Sequence, residues 1–194
     1  MDQYIELIGT IVGLVYLLLE YRASIYMWLV GIIMPAIYIY IYYSAGLYAN
    51  FGINIYYLLA AIYGYLSWRG LLGETGQDES FSITRTPKRG WCIAGVMYVV
   101  AQTLITWILV HYTDSATPIM DAFTTALSIV GMWMLARGYI EQWWTWCVVD
   151  LASSALYWHT GLYFTAGLYL VYAIVAVFGY MKWKSMINNE HVEG

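Results

Sequence analysis

Charge is what this sequence has least of: only 10% of its 194 residues are Asp, Glu, Lys or Arg, where a soluble globular domain carries about 25%. So little charge cannot clothe a water-facing surface over a chain that is 62% hydrophobic, and a soluble fold is excluded. The alternation of polar and apolar residues that marks barrel strands is also missing, since the apolar residues come in long continuous runs. No basic patch suits nucleic acid. Cysteine is nearly absent: Cys92 and Cys147 stand in separate apolar stretches with no C-x-x-C and no metal spacing, so two buried, inert thiols are expected. G-x-S-x-G, H-E-x-x-H and P-loop motifs do not occur, and His111, His159 and His191 are too scattered to hold one metal. No catalytic site, metal or cofactor is expected. Asp2 and Glu6 open the chain without a basic stretch, so it does not begin like a cleaved signal peptide.

What the chain does have is seven apolar runs, at about 4–20, 25–43, 48–68, 91–111, 118–136, 142–158 and 162–183. Each approaches the roughly 20 residues that cross a bilayer as a helix, so the expected class is an all-α integral membrane protein with seven transmembrane helices. The one long polar connection, Arg69 to Gly90, holds Glu74, Asp78, Glu79, Arg85, Lys88 and Arg89 and reads as a loop. Basic residues fall only on alternate connections: Arg22 after the first span, Arg69, Arg85, Lys88 and Arg89 after the third, Arg137 after the fifth, Lys182 and Lys184 after the seventh. By the positive-inside rule the N-terminus is then outside and the C-terminus cytoplasmic.

The chain also repeats itself at an offset of 115 residues. Gly46, Leu47, Tyr48, Tyr57, Ala61, Gly64, Tyr65 and Trp68 meet Gly161, Leu162, Tyr163, Tyr172, Ala176, Gly179, Tyr180 and Trp183 without a gap. Upstream, Val15, Arg22, Trp28 and Tyr42 meet Val130, Arg137, Trp143 and Tyr157. Spans one to three therefore correspond to spans five to seven, a displacement of four spans, so both triplets cross in the same direction. The predicted plan is a 3+1+3 parallel repeat: a first three-helix bundle at 1–68, a cytoplasmic loop at 69–90, a linker helix at 91–117, a second bundle at 118–184 and a tail at 185–194. Parallel repeats of this SWEET-like kind are a transporter architecture with the site near the midplane.

Charged groups inside a bilayer are expensive and are functional candidates by default. Asp150 is the one at a span centre, and its repeat partner is Pro35, a helix-interior proline able to act as a hinge. A substrate or gating role for Asp150 competes with a structural hydrogen bond to a neighbouring helix, and a hinge at Pro35 with a plain packing kink. Trp143, Trp146, Asp150 and Tyr157 are spaced for one helix face, and an aromatic wall bearing a carboxylate suits a flat cationic ring. Trp and Tyr also gather at membrane interfaces as anchors, which is the reading for Trp144 and Trp158. Trp28, the partner of Trp143, is expected to close the site from the other half. Asn54 and Tyr57 on span three and Gln102 and Trp107 on span four are polar or amphipathic groups amid apolar neighbours, serving as ligands or as helix–helix glue. Asp121, with Thr124, Thr125 and Ser128, opens span five, where a carboxylate is also favoured by the helix dipole alone. Gly9 and Gly13 read as helix packing, and Glu20 and Glu141 as local partners of Arg22 and Arg137.

The segments GLYANFGINIYYLLAAIYGYLSW, DAFTTALSIVGMWMLARGYIEQWWTWCVVD and GLYFTAGLYLVYAIVAVFGYMKW resemble the PnuC family of bacterial vitamin transporters over nearly the whole chain. The Asp-Ala opening of span five, the Leu-Ala-Arg, the Glu-x-Trp-x-x-Trp and the Trp-x-x-Trp-x-x-x-Asp carry the likeness. The resemblance implies a 3+1+3 facilitator of the bacterial inner membrane with no energy source of its own, a homotrimer, and a cytosolic kinase that traps the vitamin. The residues expected toward substrate are Trp28, Asn54, Tyr57, Gln102, Asp121, Thr124, Ser128, Trp143, Trp146, Asp150 and Tyr157. Members resembling the nicotinamide riboside group carry Gln where this chain has Met132, before Trp133, and Asn where it has Met34; LLLEYRASIYMWLVGIIMP is more similar to the thiamine branch, PnuT. Thiamine is thus the expected substrate and nicotinamide riboside the alternative. A binding subunit that does not itself transport is the rival from another class.

Overall fold

The computed structural model describes residues 2–44, 48–71, 82–114 and 116–193. Gly46 and Leu47 of the repeat, and Glu74, Asp78 and Glu79 of the polar connection, lie outside the described residues. The described residues form seven helices: α1 (Asp2–Tyr21), α2 (Tyr26–Ser44), α3 (Tyr48–Trp68), α4 (Lys88–Tyr112), α5 (Pro118–Ala136), α6 (Gln142–His159) and α7 (Tyr163–Glu193). Three of them, α4, α5 and Tyr163–Asn188 of α7, are long and apolar enough to cross a membrane by length and composition. The helices match the seven expected runs, with two corrections. Helix α4 begins at Lys88, inside the stretch read as loop, because Pro87 starts it and long basic side chains tolerate a helix end. Helix α7 continues through the expected 185–194 tail to Glu193, since nothing in KSMINNEHVE breaks a helix.

Two compact units result, Met1–Ser82 and Ile83–Gly194, with α4 in the second. In the first unit α2 packs along α3 and more lightly against α1. Trp28 is fully buried, its ring edge-on to Trp68 with centroids 5.6 Å apart. Gly64 faces that indole so closely that a Cβ there would lie inside the ring. Helix α2 runs through Pro35 unbroken, and Gly31, whose carbonyl loses its donor to the proline, sits against Ala61 and Tyr16.

The second unit reproduces this internally. Trp143 is 1% exposed and meets Trp183 edge-on at 5.7 Å, and a Cβ on Gly179 would again enter the indole. Ser154 Oγ donates to the Ala166 carbonyl at 2.9 Å, tying α6 to α7 where both residues are buried. Ala94, Val130, Met134 and Tyr139 form the core that holds α4 on α5.

The turn after the first helix of each triplet also repeats, bond for bond. Ala23 N–H bonds to the Glu20 carbonyl and Ser24 N–H to Leu19; 115 residues later Gly138 N–H bonds to Leu135 and Tyr139 N–H to Met134. Both are Schellman caps, which need a left-handed residue at the position after the cap. Gly138 takes it at φ 70° without strain, whereas Ala23 takes it at φ 50° with a Cβ in the way.

Candidate functional site

Asp150 sits in the third turn of α6, 8% exposed, and makes no hydrogen bond or ion pair with any described residue. The structural reading, a carboxylate bonded to a neighbouring helix, is therefore not what the structure holds. A carboxyl group left without a partner among apolar helices is costly, and its retention points to a partner that arrives from outside the fold. Around it stand tyrosines: Tyr169 and Tyr172 of α7 lie close enough to feel its charge, and Tyr157 stacks on Tyr169 with centroids 5.3 Å apart. Tyr172 in turn meets Tyr169 edge-on at 5.9 Å. The result is a carboxylate rimmed by phenols on two adjoining helices.

The two tryptophans expected on the same wall divide. Trp143 turns toward α7, onto Gly179 and Trp183, while Trp146 turns toward α5, where Gly131 leaves room for its ring. Buried to that degree, Trp143 has no free face for a ligand, and neither does Trp28 in the first unit. Trp143, expected to stack on a ligand, and Trp28, expected to close the site from the other half, are both packed within their own bundles. Trp146 is less buried as a residue, and its indole N–H, like those of Trp28 and Trp143, is buried without a hydrogen-bond partner.

Gln102 of α4 donates to Thr106 Oγ1 at 3.1 Å and to the Ile119 carbonyl at 3.4 Å, fastening α4 to the start of α5. Its carbonyl oxygen has no partner and borders an open groove of about 470 Å³ shared with Trp107 and His111. The hydroxyls at the start of α5 are committed locally. Thr125 and Thr124 donate to the Asp121 carbonyl, Ser128 to that of Thr124, and Thr117 to the Asp121 carboxylate. Such back-bonding satisfies a hydroxyl inside an apolar helix and takes up its donor. Asn54 and Tyr57 are half-buried on α3, with Tyr57 beside Tyr56. No group of three His, Cys, Asp or Glu that could hold a metal occurs among the described residues.

Two further expectations change. Glu141 turns to Thr86, whose backbone N–H and hydroxyl both donate to its carboxylate, at 2.8 and 2.7 Å. Cys147 is buried as expected, but Cys92 is exposed on α4. Sequence reasoning missed Tyr169 and Tyr172, although the 115-residue offset carries Asn54 and Tyr57 onto those two positions.

Residues 3–185 match the family model described as nicotinamide mononucleotide transporter. The nicotinamide riboside transporter PnuC of Neisseria mucosa is 29% identical over 143 residues, 68% of this chain but only about half, 53%, of that protein. The riboflavin/roseoflavin transporter RibM of Streptomyces davaonensis is 28% identical over 187 residues, 94% of this chain and 86% of that one. The crystal structure of the vitamin B3 transporter PnuC aligns with a TM-score of 0.66 at 26% identity, covering 92% of this chain and 79% of that one.

Proposed function

Because the chain belongs to the nicotinamide mononucleotide transporter (PnuC) family, we propose that it carries a cationic, ring-bearing vitamin across the bacterial inner membrane as a facilitator. The observation that carries this reading is the partnerless carboxyl of Asp150 among Tyr157, Tyr169 and Tyr172. A carboxylate supplies the countercharge, and phenols supply ring faces and hydroxyls for a heterocycle and its side groups.

Nicotinamide riboside is the first substrate reading, supported by the relative that carries it and by the vitamin B3 transporter fold. Thiamine is the second. Met132 is buried on α5, and Met34 is half-buried on α2, so two apolar side chains stand where a ribose-recognising site is expected to place amides. Riboflavin, carried by the Streptomyces relative, has no fixed cation for Asp150 to meet.

The same reading has seven spans in a 3+1+3 parallel arrangement, the N-terminus outside and the C-terminus cytoplasmic, on the alternation of basic connections. A monocation entering a cell at 100 mV, inside negative, gains about 2.3 kcal/mol, or about fifty-fold at equilibrium. No pump is then required: phosphorylation by a cytosolic kinase keeps the vitamin in, and the transporter works as a homotrimer. The test is a fluorescence titration of the purified protein with nicotinamide riboside, thiamine and riboflavin in parallel, followed by uptake into liposomes. Saturable quenching and uptake of one cation support the proposal and name the substrate. Binding without uptake favours a non-transporting subunit, and uptake that needs an imposed Na⁺ or H⁺ gradient overturns facilitation.

A further inference from the structure

Three of the chain's eight basic residues, Arg85, Lys88 and Arg89, are packed into five positions at the start of α4, all exposed and none paired with a described residue. They are held still. Thr84 N–H donates to the Gly138 carbonyl at 3.0 Å, and the Thr84 carbonyl accepts from Ile140 N–H at 2.9 Å. Ile83 and Thr86 are buried on either side of that bridge. Glu141 accepts from the backbone N–H and hydroxyl of Thr86, so it holds the segment in place. Pro87 ahead of α4 supplies no side-chain cap, so the first-turn N–H groups of the helix take no bond from it.

Directly beyond the cluster α4 turns apolar and outward. Trp91, Ile93, Val96, Val99, Val100 and Leu104 are each about half exposed or more, and within its own unit the described contacts of α4 are with α5. A cationic cluster, an interfacial indole and then four turns of bare aliphatic surface follow the order of a phospholipid: acidic headgroup, glycerol level, acyl chain. We propose that the start of α4 is a binding site for an anionic phospholipid, phosphatidylglycerol or cardiolipin in kind, with its phosphate between Arg85, Lys88 and Arg89 and a chain lying along Ile93, Val96, Val100 and Leu104, which share the helix face of Arg89. Charge complementarity and the continuity of the two surfaces select a lipid over a soluble anion. The site is independent of the transported substrate, because neither Asp150 nor its tyrosines take part.

Native mass spectrometry of the detergent-purified full chain, incubated with equal phosphatidylglycerol and phosphatidylcholine, tests this. Wild type should retain the anionic lipid selectively. Arg85→Gln/Lys88→Gln/Arg89→Gln should lose about tenfold or more of that retention, each cation near a membrane surface contributing severalfold, while Lys182→Gln/Lys184→Gln keeps it. Equal retention of both lipids by wild type, or an equal loss in the two variants, overturns the site. Should the triple variant not fold, inorganic phosphate offered as competitor to wild type decides: displacement of the lipid at millimolar phosphate would mean a soluble-anion site and refute the proposal, and retention supports it. Vitamin binding measured on the same samples is expected to be unchanged.

Discussion

The two triplets share a turn, a buried tryptophan pair and a glycine that receives an indole, yet they differ at the centre of their middle helices. Where α6 carries Asp150, α2 carries Pro35 at the corresponding position. One duplicated scaffold thus supports a polar site in one copy and a helix lacking one backbone donor in the other. The lesson is that the parts kept alike are those that hold helices together, while the two copies diverge at the centre of the middle helix, where one of them carries the proposed substrate carboxylate.

The sharpest way to break this contrast is at its centre. Asp150→Asn should weaken vitamin binding about thirtyfold or more, the cost of removing one member of a desolvated charge pair. Asp121→Asn, at the start of α5, should change it by less than about threefold. Equal effects in a fluorescence titration would mean that the carboxyl on α6 is not the special one.

Next come the matched glycines. Gly64→Ala and Gly179→Ala each drive a methyl into an indole and should cost about 1–3 kcal/mol by overpacking, read as similar losses in thermal stability in detergent. A loss in only one would show that the two tryptophan locks are not equivalent. Glu141→Ala removes the two hydrogen bonds from Thr86 and should cost about 1–2 kcal/mol. Tyr26→Ala, at the corresponding and exposed position of the first triplet, should cost no more than about 0.5 kcal/mol. The last contrast has opposite signs in the two copies. Ala23→Gly should gain up to about 1 kcal/mol by relieving a left-handed alanine, and Gly138→Ala should lose a similar amount; a loss in both would deny the strain at Ala23.

Much of the fold was legible because a bilayer imposes helices of one length, so runs of apolar residues between basic connections locate them directly. The ends of α4 and α7 were not, because hydropathy marks where a chain leaves lipid and says nothing about where a helix stops. Cys92 shows a related limit: in a membrane protein an apolar stretch can be covered by lipid instead of protein, so apolar surroundings do not imply burial in the fold. At the site, Asp150 stood out as a lone charge. Its tyrosine neighbours did not, being two among 21. Helical spacing put Trp143 and Trp146 on one face, but α5 and α7 approach α6 from either side of that face and share the two rings between them. Which neighbour a ring meets depends on the placement of other helices, which spacing along one helix cannot encode.

The length of α7 has a use of its own. At about 1.5 Å per residue its 31 residues reach about 46 Å, against a hydrocarbon thickness of about 30 Å. The stretch from Tyr163 to Met181, ahead of Lys182 and Lys184, already fills that thickness. The remaining turns extend the helix beyond Lys182 and Lys184, a molecular yardstick on which a paramagnetic label near Asn188 is expected to report height relative to the headgroups while a second label buried in the same helix gives the zero of the scale.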